Sequence, residues 1–163
     1  MTKPVGLWIR GAIFTLLVPC LVGGLIPQEL LGPAYLQPGW WRAGWLMLFA
    51  GAALYGLCLL HFLAAHGTPA IFFTRPLRSV LGEEPPALVR TGAYKFSRNP
   101  MYLAVLLVIF GQAVFYASGA VAMYGACTFA GFHLVVTLLE EPHLRAREGR
   151  AFNEYCRRVR RWI

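Results

Sequence analysis

The sequence predicts an all-α integral membrane protein: a helical bundle of about four transmembrane helices plus a C-terminal amphipathic interfacial helix. Hydrophobic residues fill 58% of the 163 positions and the mean hydropathy is +0.55, too apolar for a soluble domain of this size. Formal charge is nearly absent from four apolar runs and crowds between and after them. From His143 onward, apolar side chains recur near helical spacing among seven arginines. The length suits one domain, 1–163, with 1–66 holding the first two helices and 67–163 the chemistry-bearing part.

Gly11 to Ile26 is apolar for 16 residues, short for a hydrocarbon core of about 30 Å unless Val5 to Arg10 adds a turn and Arg10 snorkels. It is expected to be the first transmembrane helix, kinked at Pro19. Lys3 and Arg10 precede it as they would a signal peptide, but no Ala-x-Ala-like cleavage site is evident after it, so the helix is expected to be retained. Pro27 to Arg42 reads as a loop, with Tyr35, Trp40 and Trp41 as an interfacial belt. Gly44 to Ala65, 22 residues without formal charge, reads as the second helix, in which Gly44, Gly51 and Gly56 allow close backbone approach.

After His66 comes an amphipathic connection to Asn99, broken by Arg75-Pro76 and Pro85-Pro86 and expected at the membrane surface as loop and short helix. Met101–Tyr116 and Val121–Leu139 form a predicted hairpin with a tight turn at Ala117–Ala120. The apolar character stops at Glu140-Glu141-Pro142, where Pro142 is expected to bend the chain. Beyond it Leu144, Phe152, Tyr155, Val159 and Trp162 mark the apolar stripe of the interfacial helix.

The net charge is +8. The basic residues flank apolar runs instead of forming one basic-aromatic face, which points to anionic lipid headgroups and away from nucleic acid. Only Arg42 of the 15 Lys and Arg residues falls on the far side of the predicted spans, which puts both termini and the long connection in the cytoplasm. No organelle signal is evident, and a prokaryotic plasma membrane is expected. Oligomeric state is left open.

Cys20, Cys58 and Cys127 lie in apolar runs and read as small buried hydrophobes, with Cys156 widely spaced from them, so neither a disulfide framework nor a metal motif is implied. His61 and His133 suit hydrogen bonds across helices or a direct role. No metal is expected, because Pro142 breaks the helical spacing of His133, Glu140, Glu141 and His143. No Gly-x-Gly-x-x-Gly motif is present after a strand, so a soluble dinucleotide-binding fold is not supported.

The stretch Leu88–Leu103 carries the sharpest chemistry. Gly92 frees the backbone for a turn, Asn99-Pro100 sets an extended residue before a helix start, and Tyr94 and Arg98 project near that helix mouth, where free N–H groups favour an anion. Two carboxylates at a membrane boundary, Glu140 and Glu141, are costly without cations or water. Pro100 opens one hairpin arm and Glu140 closes the other, so Arg98 and the acidic pair are expected at the same end. That set suits a zwitterion: Arg98 for a carboxylate, a Glu for an ammonium, Tyr94 or Tyr102 beside a cation or ring.

Gly92, Tyr94, Arg98, Pro100 and Tyr102, then a hairpin, Glu140-Glu141 and a tail with Phe152, Tyr155, Val159 and Arg160, resemble the isoprenylcysteine carboxyl methyltransferase and phospholipid methyltransferase family of integral membrane enzymes. That family reads Gly-x-Tyr-x-x-x-Arg-His-Pro-x-Tyr, and Asn99 stands at its usual His. The resemblance covers about residues 85–163 and implies methyl transfer from S-adenosylmethionine to a lipophilic or membrane-embedded acceptor: an isoprenylcysteine-like carboxylate, a phospholipid amine or a small apolar molecule. It implies cofactor contacts at Tyr94, Arg98, Asn99, Pro100, Tyr102, Leu103, Glu140 and Glu141, with Arg98, Glu140 and Glu141 catalytic. The rival readings are a membrane reductase with a nicotinamide cofactor and a non-enzymatic lipid-binding protein.

Overall fold

A computed structural model describes residues 19–31, 40–67 and 85–163, with Gly6, Ile9, Ala12 and Ile13 as isolated positions. The predicted start of the first helix, Tyr35, and most of the long connection, with Arg75-Pro76, lie outside the described residues. Among the described residues the fold is helical, and the one extended contact is an isolated bridge between Ser97 and Arg160.

Five helices carry the described residues. Helix α1 spans Leu21–Leu31, α2 Trp41–Ala64, α3 Pro100–Phe115, α4 Gly119–Glu148 and α5 Arg150–Arg158. Two of them, α2 and α4, are long and apolar enough to cross a membrane, fewer than the four expected. At 16 residues, α3 rises only about 24 Å. It is instead the centre of the bundle: Ala104, Val105, Ile109 and Ala113 are buried against α1, α2 and α4. By contrast Leu46 on α2 and Leu138 on α4 are 71% and 66% exposed, unlike the core helix of a soluble protein.

The pair α2–α3 is antiparallel and packs backbone to backbone. A Cβ on Gly44 would lie 2.7 Å from Phe115 Cα, and one on Gly51 2.8 Å from the Ala104 carbonyl, so both positions exclude a side chain. Gly56, expected to do the same, has nothing within 4 Å among the described residues. Tyr116 and Ala117 form the turn to α4, and Ser118 Oγ caps that helix by accepting from Val121 N–H at 3.3 Å.

Two helices contain a π turn, Leu21–Leu25 in α1 and Val136–Glu140 in α4. Each ends two residues before a proline, Pro27 or Pro142, whose missing N–H removes an i→i−4 bond. In α1 the carbonyls this frees are taken by side chains: Gln112 Nε2 donates to Gly23 O at 2.6 Å and Tyr124 Oη to Val22 O at 2.9 Å. The π turn lets α4 run on through Pro142 to Glu148, where the sequence suggested a bend. Likewise Pro27–Leu31 and Trp41–Arg42 are helical, which shortens the expected loop at both ends.

Gly149, with φ +56°, ends α4 and turns the chain back into α5. The apolar stripe of α5 was expected to face lipid. Instead Phe152, Tyr155 and Val159 are buried against Leu88, Leu144 and Cys156, because the protein itself covers that face. Cys58 is buried as expected, but Cys20 and Cys127 are exposed.

Candidate active site

The cytoplasm-facing end in the sequence reading is where the chain turns polar, and there the 88–99 segment folds against α2. Gly92 takes φ +59°, and a Cβ on it would sit 2.3 Å from His61 Nε2. His61 is fixed from behind by a 2.6 Å contact between Nδ1 and Leu57 O. It is therefore a platform for the turn. The adjoining 3₁₀ turn, Gly92–Lys95, drives Tyr94 inward, edge-on to Phe62 with ring centroids 5.6 Å apart. Tyr155 Oη donates to the Tyr94 carbonyl at 2.6 Å. Burial holds the Tyr94 hydroxyl well above its ordinary range and pushes Tyr155 to about 12, so both are neutral at physiological pH.

Arg98 projects between α4 and α5. Its Nη1 lies 3.1 Å from Glu141 Oε1 and donates to Cys156 Sγ at 2.6 Å, while its Nε is buried with no hydrogen-bond partner among the described residues. Glu141, 6% exposed, also receives a fork from Arg161: Nε to Oε1 at 2.7 Å and Nη2 to Oε2 at 3.0 Å. The hydrogen bond to Glu141 raises the Arg161 pKa further. Two guanidinium groups on one carboxylate resolve the cost of burying it.

Asn99 sits at the N-cap position of α3 but its side chain makes no cap bond. Its Nδ2 donates instead to Arg161 O at 2.9 Å, alongside Ser97 Oγ at 3.3 Å, and Arg98 N–H donates to Arg160 O at 2.9 Å. The 159–163 segment is thereby strapped across the mouth of α3. Further along, Trp162 Nε1 donates to His133 Nδ1 at 3.2 Å, and its ring lies 5.1 Å from Phe129. His133 anchors this strap.

Tyr102 Oη hydrogen-bonds Glu140 Oε1, and the Tyr102 ring lies 4.5 Å from Phe132. These groups surround one cavity of about 190 Å³. Tyr94, Arg98, Asn99, Tyr102, Glu140 and Glu141 all line it; Pro100 and Leu103 do not, Pro100 being buried at the helix start. Val22, Tyr55, Met101, Val105, Phe132 and Val136 make an apolar wall toward α1, and Phe152 and Tyr155 close it from α5. Among the described residues no group of His, Cys, Asp and Glu could hold a metal.

The sequence model of the phospholipid methyltransferase family matches residues 46–147. The chain belongs to the phospholipid methyltransferase family. No curated protein and no solved structure gives a significant match. The family match reaches from α2 through both acidic residues, so it contains Tyr94, Arg98, Tyr102, Glu140 and Glu141. Phe152 and Tyr155 lie beyond it, yet they line this methyltransferase-family cavity, and Arg161, also beyond it, grips Glu141 from behind. The sequence had offered Arg161 only as one of seven tail arginines; a buried carboxylate that must find cations was the signal for it.

Proposed function

We propose that the protein transfers a methyl group from S-adenosylmethionine to a lipophilic or membrane-embedded acceptor, as a multi-pass membrane enzyme. The observation that carries this reading is the meeting of Arg98, Glu140, Glu141, Tyr94 and Tyr102 on one cavity that continues into an apolar wall, in a chain of a methyltransferase family. The residues fit the donor. Arg98 Nε is a buried N–H without a partner among the described residues, suited to a carboxylate, and Glu140 suits an ammonium. Tyr94, Tyr102 and Phe132 offer ring faces to a sulfonium or a purine.

When bound, S-adenosylmethionine supplies a sulfonium-borne methyl that an in-line nucleophile accepts, leaving a thioether. The chain's own contribution is positioning and exclusion of water. Arg98 fixes one end of the donor, Tyr102 orients Glu140, and Phe152 and Tyr155 cover the cavity from α5. The apolar wall between α1, α3 and α4 receives the acceptor's hydrocarbon part. A carboxylate or thiolate acceptor needs no base. A protonated amine must lose its proton first, and Glu140, paired with the neutral Tyr102 hydroxyl, is the better base; Glu141 is engaged by two guanidinium groups.

The deciding experiment is binding of S-adenosylmethionine to detergent-purified protein. Arg98→Ala and Glu141→Gln should each lower affinity at least tenfold, about 1.4 kcal/mol, in protein that still folds. Affinity within twofold of wild type for both would reduce these charges to helix-end anchors. Binding of a reduced nicotinamide cofactor instead would favour a reductase, and binding of neither a lipid carrier. The basic-residue distribution supports a topology with both termini cytoplasmic, and reporter fusions after residue 163 and within 66–99 should report that side.

A further inference from the structure

Glu141 has two oxygens and three N–H contacts from two arginines, and the two arginines share it unequally. Arg161 grips both oxygens with Nε and Nη2, whereas Arg98 reaches only Oε1, through Nη1. The Arg98 Nε is left buried without a partner among the described residues. An arginine alone beside a carboxylate takes it with two parallel N–H bonds. Here the fork position is already filled.

We propose that Arg161 is a positioning residue: by occupying both Glu141 oxygens it denies Arg98 the two-point grip and keeps the Arg98 Nε–H available to the carboxylate of the methyl donor. The strap supports the assignment. Asn99 Nδ2 and Ser97 Oγ both reach the Arg161 carbonyl, and Arg98 N–H holds Arg160 O, so the backbone that carries Arg161 is tied to the residues on either side of Arg98. Without Arg161 the Arg98 guanidinium is expected to rotate onto Glu141 and lose its free edge.

This inference rests on the donor reading above, and two ligands separate the claims. Affinity is measured for S-adenosylmethionine and for its decarboxylated form, which keeps the sulfonium and adenosine but lacks the carboxylate. Arg161→Ala should weaken the first at least tenfold and the second less than twofold, with Arg161→Lys intermediate because an ammonium cannot fork across both oxygens. A purely structural role would weaken both equally, and that result would overturn the proposal. So would wild-type protein that binds the two ligands equally. If wild type binds neither, the donor reading fails, and the positioning claim is decided without ligand by the Arg98 Nε–H resonance, assigned through its loss in Arg98→Lys. A downfield shift in Arg161→Ala, as Nε engages Glu141, upholds it; an unchanged resonance ends it.

Discussion

The His61 imidazole lies where a Gly92 side chain would be: a Cβ built on Gly92 falls 2.3 Å from Nε2 and 2.4 Å from Cε1 of the ring. Gly92 also holds φ +59°, which costs an L-residue roughly 1–2 kcal/mol before any clash. Gly92→Ala should therefore destabilise the protein by about 2–4 kcal/mol once overpacking is added. In a His61→Ala background the loss should shrink to the backbone part. Additive losses in a denaturant-based double-mutant cycle would mean that the ring is not the obstacle.

Asn99 lines the cavity, and its amide nitrogen donates to the Arg161 carbonyl. Asn99→Ala should cost roughly 1–3 kcal/mol by leaving that carbonyl short of a donor. Asn99→Asp should cost more, because it faces a carbonyl oxygen with an acceptor and adds a negative charge. Asn99→His keeps a donor and should lie closest to wild type. Equal stability for the Ala and Asp variants would show that the amide hydrogen is not the group that matters.

Alkaline pH should loosen the tail. The Tyr155 hydroxyl is raised from 10.0 to about 12, first by burial, so between those values the folded chain holds a proton the unfolded chain has lost. Stability is then complete below pH 10 and declines as pH rises toward 12. Tyr94, raised by burial in the same direction, adds to the slope. Tyr155→Phe should be less stable at neutral pH by about 1 kcal/mol for the lost bond to Tyr94 O, yet decline less steeply across pH 10–12. Parallel curves for the two proteins would assign the alkaline loss elsewhere.

Removing the Trp162 anchor should release the strap. Trp162→Ala deletes both the hydrogen bond to His133 and the contact with Phe129, and Trp162→Phe keeps only ring packing. Amide exchange at Arg98, whose N–H donates to Arg160 O, should speed up at least tenfold in the Ala variant and less in the Phe variant. Unchanged exchange in both would show that Asn99 and Arg161 hold the segment by themselves.

The uncharged runs were enough to find α2 and the α3–α4 hairpin, because length and apolarity are local properties. Which glycines pack was only half legible. Gly44 and Gly51 are seven residues apart, about two turns, and share a face; Gly56 is five beyond Gly51 and falls on another. The stripe of Phe152, Tyr155 and Val159 was visible, but periodicity does not say whether lipid or protein covers it. Tyr94, Arg98, Tyr102 and the acidic pair stood out and do converge on one cavity. Leu103 does not, since at about 100° per residue it falls on the side of α3 away from Met101, Tyr102 and Val105, which line the cavity. The choice of Arg161 among seven arginines depends on a chain reversal at Gly149 that no local pattern encodes.

The π turn in α4 also sets the rotational phase of the helix beyond Glu140. It holds one residue more than an α turn, so the later residues are rotated by about 100° relative to an uninterrupted helix. The apolar pattern of Gly119–Val135 and the inward aim of Glu141 thus belong to two different helical frames, joined by a single surplus residue. Deleting one residue within 136–139 would conserve every charge and nearly all the hydrophobicity, yet it would turn Glu141 away from both arginines. For this protein the spacing between membrane segment and acidic residue is as much a chemical requirement as the acid itself, and an insertion or deletion there is expected to be worse tolerated than most substitutions.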